Sequence, residues 1–123
     1  NNGFNSPEYI KQAGAAADGT MVATPWNPER QSEKAQNFRK AFAAKYGHEP
    51  DQFAAQAYDA MYIIHEAVEK SGTTTNRKKF RDALAQITNF EGATGVFSFD
   101  DHRDPSMDLD VLVIKDGKWT PLQ

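Results

Sequence analysis

The 123-residue chain has no cysteine, which excludes disulfides and thiolate metal centres and leaves the compartment open. It has no apolar run near the ~18–20 residues that a membrane-spanning helix needs. Positive charge is not in excess: 14 Lys and Arg stand against 17 Asp and Glu, a net charge of −3. A nucleic-acid surface is normally basic, so that class of partner is not expected. No phosphate loop or dinucleotide fingerprint occurs, and none of Ser6, Ser32, Ser71, Ser98 or Ser106 sits in a nucleophile elbow. The histidines His48, His65 and His102 form no i, i+4 pair, so zinc has no support from spacing. Internal repeats and low-complexity segments are also absent. What remains, 39% hydrophobic and 25% charged, is the balance of one modest globular α/β domain.

One stretch organises the rest. Pro50 fixes its own φ and disfavours helix at Glu49, so the chain arrives extended. Asp51 is placed to cap the first free N–H groups of a helix. Behind it Phe53, Ala57, Ala60, Ile64, Ala67 and Val68 recur at helical spacing and predict one apolar face. Ser71-Gly72 predicts a left-handed end. The first turn is small-chained, a place where a ligand can approach backbone.

Around this helix the chain reads simply. Ser6-Pro7-Glu8 predicts a helix start, running to about Ala17. Thr20–Thr24 predicts a short strand stopped by Pro25, with Trp26 in a rigid turn and packed rather than ligand-bound. A second helix is expected from about Pro28 to Tyr46, burying Ala35, Phe38, Phe42 and Tyr46. A fourth, Arg77 to about Ile87, would turn Phe80, Ala83, Leu84 and Ile87 inward and its basic residues to solvent. Asn89–Gly95 reads as a connection, Val96–Phe99 as a strand and Asp100–Ser106 as a charged turn. Leu109–Ile114 is apolar at nearly every position, as in a strand covered on both faces. Asp116-Gly117 is a hairpin signal leading into Lys118–Leu122.

Asp100-Asp101-His102-Arg103-Asp104 is the one cluster that metal or acid–base chemistry could use. The calcium-loop Gly and its terminal bidentate Glu are missing, so the cluster reads as a solvent-exposed turn without a bound ion. An enzyme is not indicated, and no cofactor is expected.

Tyr46-Gly47-His48-Glu49-Pro50-Asp51 followed by Ala57-Tyr58-Asp59-Ala60 resembles the periplasmic leucine/isoleucine/valine-type binding proteins, the solute receptors of ABC importers. Three stretches agree in order and spacing: Ala13–Gly19, Phe90–Asp100 and Val111–Trp119. The resemblance implies an α/β periplasmic binding protein of type I with Rossmann-like lobes, represented by an incomplete fragment of about four helices and four short strands. Such proteins are about three times longer, and this chain matches their last third. Residues 1–52 would belong to the second lobe, 53–107 to the first and 108–123 to the second again. A fragment of this kind would leave sheet edges open and apolar helix faces uncovered, so self-association is expected of it.

The resemblance also implies a function. The parent would be extracytoplasmic, capturing a small organic solute, amino acid-like or an aromatic acid, for the permease subunits of an importer. A ligand-sensing receptor of the same fold is the alternative, and a metal or enzymatic domain using Asp100–Asp104 is another. Solute would be held at strand-to-helix loops. Here that implies Asn2, Phe4 and Asn5 in the first loop and Ala55 and Gln56 in the first turns of the central helix. The family's amino-acid binders clamp the substrate ammonium with a carboxylate near the position of Asn2, yet no acid occurs from Asn1 to Ser6. The family's bulky ring near Ala55 is also replaced by a small residue. Tyr58 is expected to pack toward the sheet, and Asp59 to lie near the helix start where its charge suits the dipole.

Overall fold

A computed structural model describes residues 2–122, with the backbone alone at Asn2. After a single turn of 3-10 helix at Asn2–Phe4, the Ser6 hydroxyl accepts from the Tyr9 N–H at 3.2 Å and starts helix α1 (Pro7–Ala13). A second 3-10 turn, Gly14–Ala17, carries the chain to strand β1 (Met21–Thr24). Residues 25–32 then lead to α2 (Glu33–Tyr46), which starts at the Ser32 cap, several residues beyond Pro28. Asp51 caps α3 (Gln52–Ser71) by accepting from the Ala54 N–H at 2.9 Å, and Gly72 ends it in left-handed geometry at φ 62°. Asn76 caps α4 (Arg77–Leu84), shorter than expected, with Ala83 and Ile87 buried.

Five more strands follow, making six among the described residues, two more than expected. The additional ones are β2 (Phe90–Gly92) and β4 (Pro105–Met107), which flank β3 (Gly95–Phe99). Strands β5 (Asp110–Lys115) and β6 (Lys118–Pro121) close the chain. Two three-stranded sheets result, β1-β5-β6 and β2-β3-β4. Every pairing is antiparallel, with Thr24 opposite Asp110, Phe97 opposite Met107 and Ile114 opposite Trp119. Leu112, Val113 and Ile114 are buried in succession, so β5 is covered on both faces there although its neighbours run antiparallel. At the β5–β6 hairpin Asp116 (φ 50°) and Gly117 (φ 71°) both have positive φ, the two-residue turn that an Asp-Gly pair favours.

Trp26, Ala35, Phe38, Ala55 and Ala93 form a core that draws on the link after β1, both long helices and the β2–β3 turn. Trp26 meets Phe38 edge-on at 5.6 Å. Helix α2 lies against α3 through Phe38 and Tyr58, whose rings are 4.6 Å apart, and α4 packs on α3.

The buried stripe of α3 is not the expected one. Phe53, Ala57, Ala60 and Ile64 face outward, and Gln52, Ala55, Asp59 and Ala67 are buried. The helix is rotated because Gln52 and Asp59 have hydrogen-bond partners inside, which lowers the cost of burying them below that of turning them out. Tyr58 is correspondingly not packed toward a sheet. It is 40% exposed and stacks between Phe38 and Tyr62.

This geometry separates two aromatic truncations. Phe38→Ala empties a core site and should cost roughly 3–4 kcal/mol of stability, whereas Tyr58→Ala should cost about 1–2 kcal/mol because water already reaches its ring. Urea unfolding of the two variants measures both, and equal losses would contradict the packing.

Candidate functional site

The first loop and the start of α3 are joined by a buried polar node. Asn5 Nδ2 donates to Thr24 Oγ1 at 3.0 Å and to Gln52 Oε1 at 2.9 Å. Thr24 Oγ1 donates to the same Gln52 oxygen at 2.9 Å and accepts from the Trp26 N–H at 3.2 Å. The hydroxyl thus gives its one proton and receives two, the full use of its capacity. Asn5, Thr24 and Gln52 are all at most 5% exposed.

Next in sequence to two of its members are exposed aromatic residues. Phe4 precedes Asn5 and Phe53 follows Gln52, and they are 49% and 50% exposed. Phe4 is steadied by Tyr9, ring centroids 5.4 Å apart, and Tyr9 in turn shares a hydrogen bond with Thr20 Oγ1 at 3.2 Å. The first loop and the start of α3 thus each present an accessible ring next to an internally satisfied polar node.

The residues expected at the solute fall into different places. The Asn2 side chain lies outside the described residues. Phe4 is on the surface beside the node, and Asn5 is turned inward as part of it. Ala55 is fully buried in the core cluster. Gln56 is half-buried on the wall of an apolar groove of about 350 Å³, with Ile63, Leu84, Phe97 and Met107. Sequence reasoning passed over Phe53 as a surface ring by assigning it to the apolar face. Its position one residue after a helix's first turn begins was the available signal.

Asp59 is the second organised group. It lies two turns into α3, not at the helix start, and its role is a long-range one. Oδ1 accepts from the Ala93 N–H at 2.7 Å, and Oδ2 accepts from the Thr94 N–H at 2.8 Å and the Thr94 hydroxyl at 2.6 Å. A carboxylate that is 5% exposed thus holds the tip of the β2–β3 hairpin. Close approach dictates Gly92, because a Cβ there would run into the Asp59 carboxylate. Beside this clamp a cleft of about 240 Å³ is lined by Lys34, Tyr58, Tyr62 and Phe90. Lys34 Nζ donates to the Glu91 carbonyl at 2.6 Å, and the Tyr58 hydroxyl donates to that of Tyr62 at 3.3 Å.

The Asp100–Asp104 segment is an exposed turn between β3 and β4. Asp100 Oδ1 accepts from the backbone N–H groups of His102 and Asp104, both at 2.8 Å, so its carboxylate is committed to the turn itself. Among the described residues no three His, Cys, Asp or Glu side chains converge as metal ligands. No helix among them is long and apolar enough to cross a membrane.

The chain is similar in sequence and fold to known proteins. The periplasmic binding protein family model matches residues 3–118. The Leu/Ile/Val-binding protein homolog 4 of Brucella abortus is 29% identical over 104 residues, 81% of this chain and 25% of the relative. A leucine-binding protein, LivK, of Thermotoga maritima superposes with a TM-score of 0.91 at 29% identity, over 99% of this chain and 35% of that one. A solute-binding protein of an ABC transporter from R. palustris, solved in complex with benzoate, gives a TM-score of 0.79 at 28% identity, over 92% and 31% of the two chains. The chain thus spans about a quarter of the length of the curated relatives it matches.

The tyrosine pair yields a measurable titration. The hydrogen bond to Tyr62, together with partial burial and the nearby Asp59 charge, pushes the Tyr58 phenol up to about 12. An unfolded tyrosine titrates near 10. The stabilisation from this raised pKa is therefore fully present below about pH 10 and is lost as pH rises through about 12. Ultraviolet titration should show one late tyrosine, and Tyr62→Phe should bring it back toward about 10. Four tyrosines titrating together would contradict the pairing.

Proposed function

Because this chain belongs to the periplasmic binding protein family, we propose that it is part of a two-lobed extracytoplasmic receptor that captures a small organic solute for an ABC importer and performs no chemistry on it. The observation that carries the proposal is the buried Asn5–Gln52 hydrogen bond, which ties the first loop to the start of α3, with Phe4 and Phe53 exposed one residue away in sequence. Rigid aromatic faces on a satisfied polar base suit reversible capture, since little side-chain entropy is lost when a solute docks.

The solute we propose is an aromatic or similarly apolar organic acid. No carboxylate occurs from Asn1 to Ser6 to pair with the ammonium of an α-amino acid. A buried ammonium without such a partner forfeits a charge-assisted hydrogen bond of about 1.5–3 kcal/mol. Exposed aromatic residues instead favour a solute that brings a ring of its own. Phe4 and Phe53 would make that contact, with the Asn2 backbone and Gln56 at the margins. Asn5 and Ala55 would act from behind, fixing the loop and the helix rather than touching solute.

The lobes are proposed on the same ground. Sheets β1-β5-β6 and β2-β3-β4 share no strand, which supports assigning residues 108–123 with the opening part of the chain. Helix α2 shares a core with α3 and the β2–β3 turn. We therefore put the first crossing between lobes at residues 25–32 rather than near residue 52, and the return crossing at 108–109. Closure of such lobes about a solute would present a joint surface to permease subunits.

Isothermal titration of the receptor with benzoate and with leucine tests the assignment. Benzoate should bind, and Phe4→Ala or Phe53→Ala should each weaken it about tenfold, the loss of roughly 1.4 kcal/mol of ring contact. Tight binding of leucine with none of benzoate would overturn the solute class, and unchanged affinity in both variants would overturn the site.

A further inference from the structure

The two links that carry the chain between its sheets are fastened to each other by one ion pair. Arg30 lies in the link from β1 to α2, and Asp110 is the first residue of β5, directly after the link from β4. Arg30 Nη2 donates to Asp110 Oδ2 at 2.7 Å and to the Pro25 carbonyl at 3.4 Å. The Arg30 backbone is held as well, its carbonyl accepting from Gln36 Nε2 at 2.7 Å and its N–H donating to the Asn27 carbonyl at 3.1 Å. A third element closes on the guanidinium: a Cβ at Gly95, the first residue of β3, would lie 3.0 Å from Arg30 Nη1. One side chain thus touches both links and the hairpin of the second sheet.

Its environment gives the pair more weight than a surface contact. The side chains are 22% and 38% exposed, so water screens them less than the exposed pairs that contribute almost nothing. Arg30 Nε is buried with no hydrogen-bond partner among the described residues. An unmet buried donor disfavours this arrangement and would be relieved by movement of the link.

We infer that Arg30 and Asp110 form a latch across the hinge, holding the two links together and thereby fixing how the β1-β5-β6 body and the β2-β3-β4 body are oriented. The inference rests on the two-lobed reading above, and it assigns to these two residues a share of the resistance that solute-driven closure must work against or with, beside the Asn5–Gln52 and Thr24–Gln52 hydrogen bonds that also join the two bodies. Opening the pair loosens the second link and the stretch of the first that follows Trp26, because Thr24 and Asp110 are the last register partners before the sheets separate and Trp26 stays in the core.

The absence of native cysteine allows a direct test. Spin labels placed through Asp101→Cys, in the β3–β4 turn, and Lys118→Cys, in β6, report the separation of the two bodies by pulsed electron resonance on the full chain. Without solute the distance distribution should be single and narrow. Asp110→Asn and Arg30→Gln should each broaden it, the double variant should broaden it no further than either, and Asp110→Glu should restore most of the narrowing. Raising salt to about 1 M, where the screening length falls to about 3 Å, should broaden the unaltered latch in the same direction. The salt series stands even if a variant fails to fold by circular dichroism. Distributions that stay narrow in the variants and in high salt would overturn the latch. No solute enters this measurement, so that failure leaves the solute-binding proposal standing. A latch that behaves as expected beside a receptor that binds neither benzoate nor leucine would count against the function alone.

Discussion

A buried carboxylate on α3 is the constraint from which most of this architecture follows. Asp59 cannot lie inside the protein without donors, because desolvating an unpaired anion costs far more than any single packing contact returns. Two backbone N–H groups and one hydroxyl supply them, all from Ala93 and Thr94. That requirement brings the β2–β3 tip onto the helix and fixes glycine at position 92. It also sets the rotation of α3, placing Ala55 in the core and Phe53 on the surface. At the head of the same helix Gln52 is tied to Asn5 and Thr24, so one helix fastens the first loop and β1 at its start and the second sheet two turns later.

Local punctuation was legible in the sequence. Ser6, Asp51 and Asn76 each cap the helix that follows them, because a short side-chain oxygen satisfies an N–H close in sequence, while the Ser32 cap of α2 was missed in favour of a start near Pro28. Asp116-Gly117 makes the hairpin its composition suggests. The inward residues of α4 and the first half of α2 also follow from helical spacing, since their burial is apolar and one-sided.

What could not be read is what depends on distant partners. The buried face of α3 includes Gln52 and Asp59, whose partners lie between 28 and 47 residues away, so hydrophobic periodicity selects the wrong face. The β2–β3 hairpin has Ala93-Thr94 at its tip rather than an Asn-Gly or Asp-Gly pair, and neither residue has positive φ. Its turn is held from outside, by Asp59, which no local rule detects. The same rotation of α3 buries Ala55, expected at the solute, and exposes Phe53, on the side of the helix that periodicity had assigned to the core. Family membership, by contrast, was readable from short motifs, because the residues that carry it are caps, turns and the Tyr58-Asp59 pair.

The central claim is that Asp59 holds the β2–β3 turn as firmly as the core holds β5. Native-state hydrogen exchange of the Ala93 and Thr94 amides tests it most directly, since their acceptor is that carboxylate. The account predicts that both exchange only through global unfolding, with the same free energy of opening as Leu112–Ile114. Exchange at the rate of an exposed loop, while β5 remains protected, would contradict it.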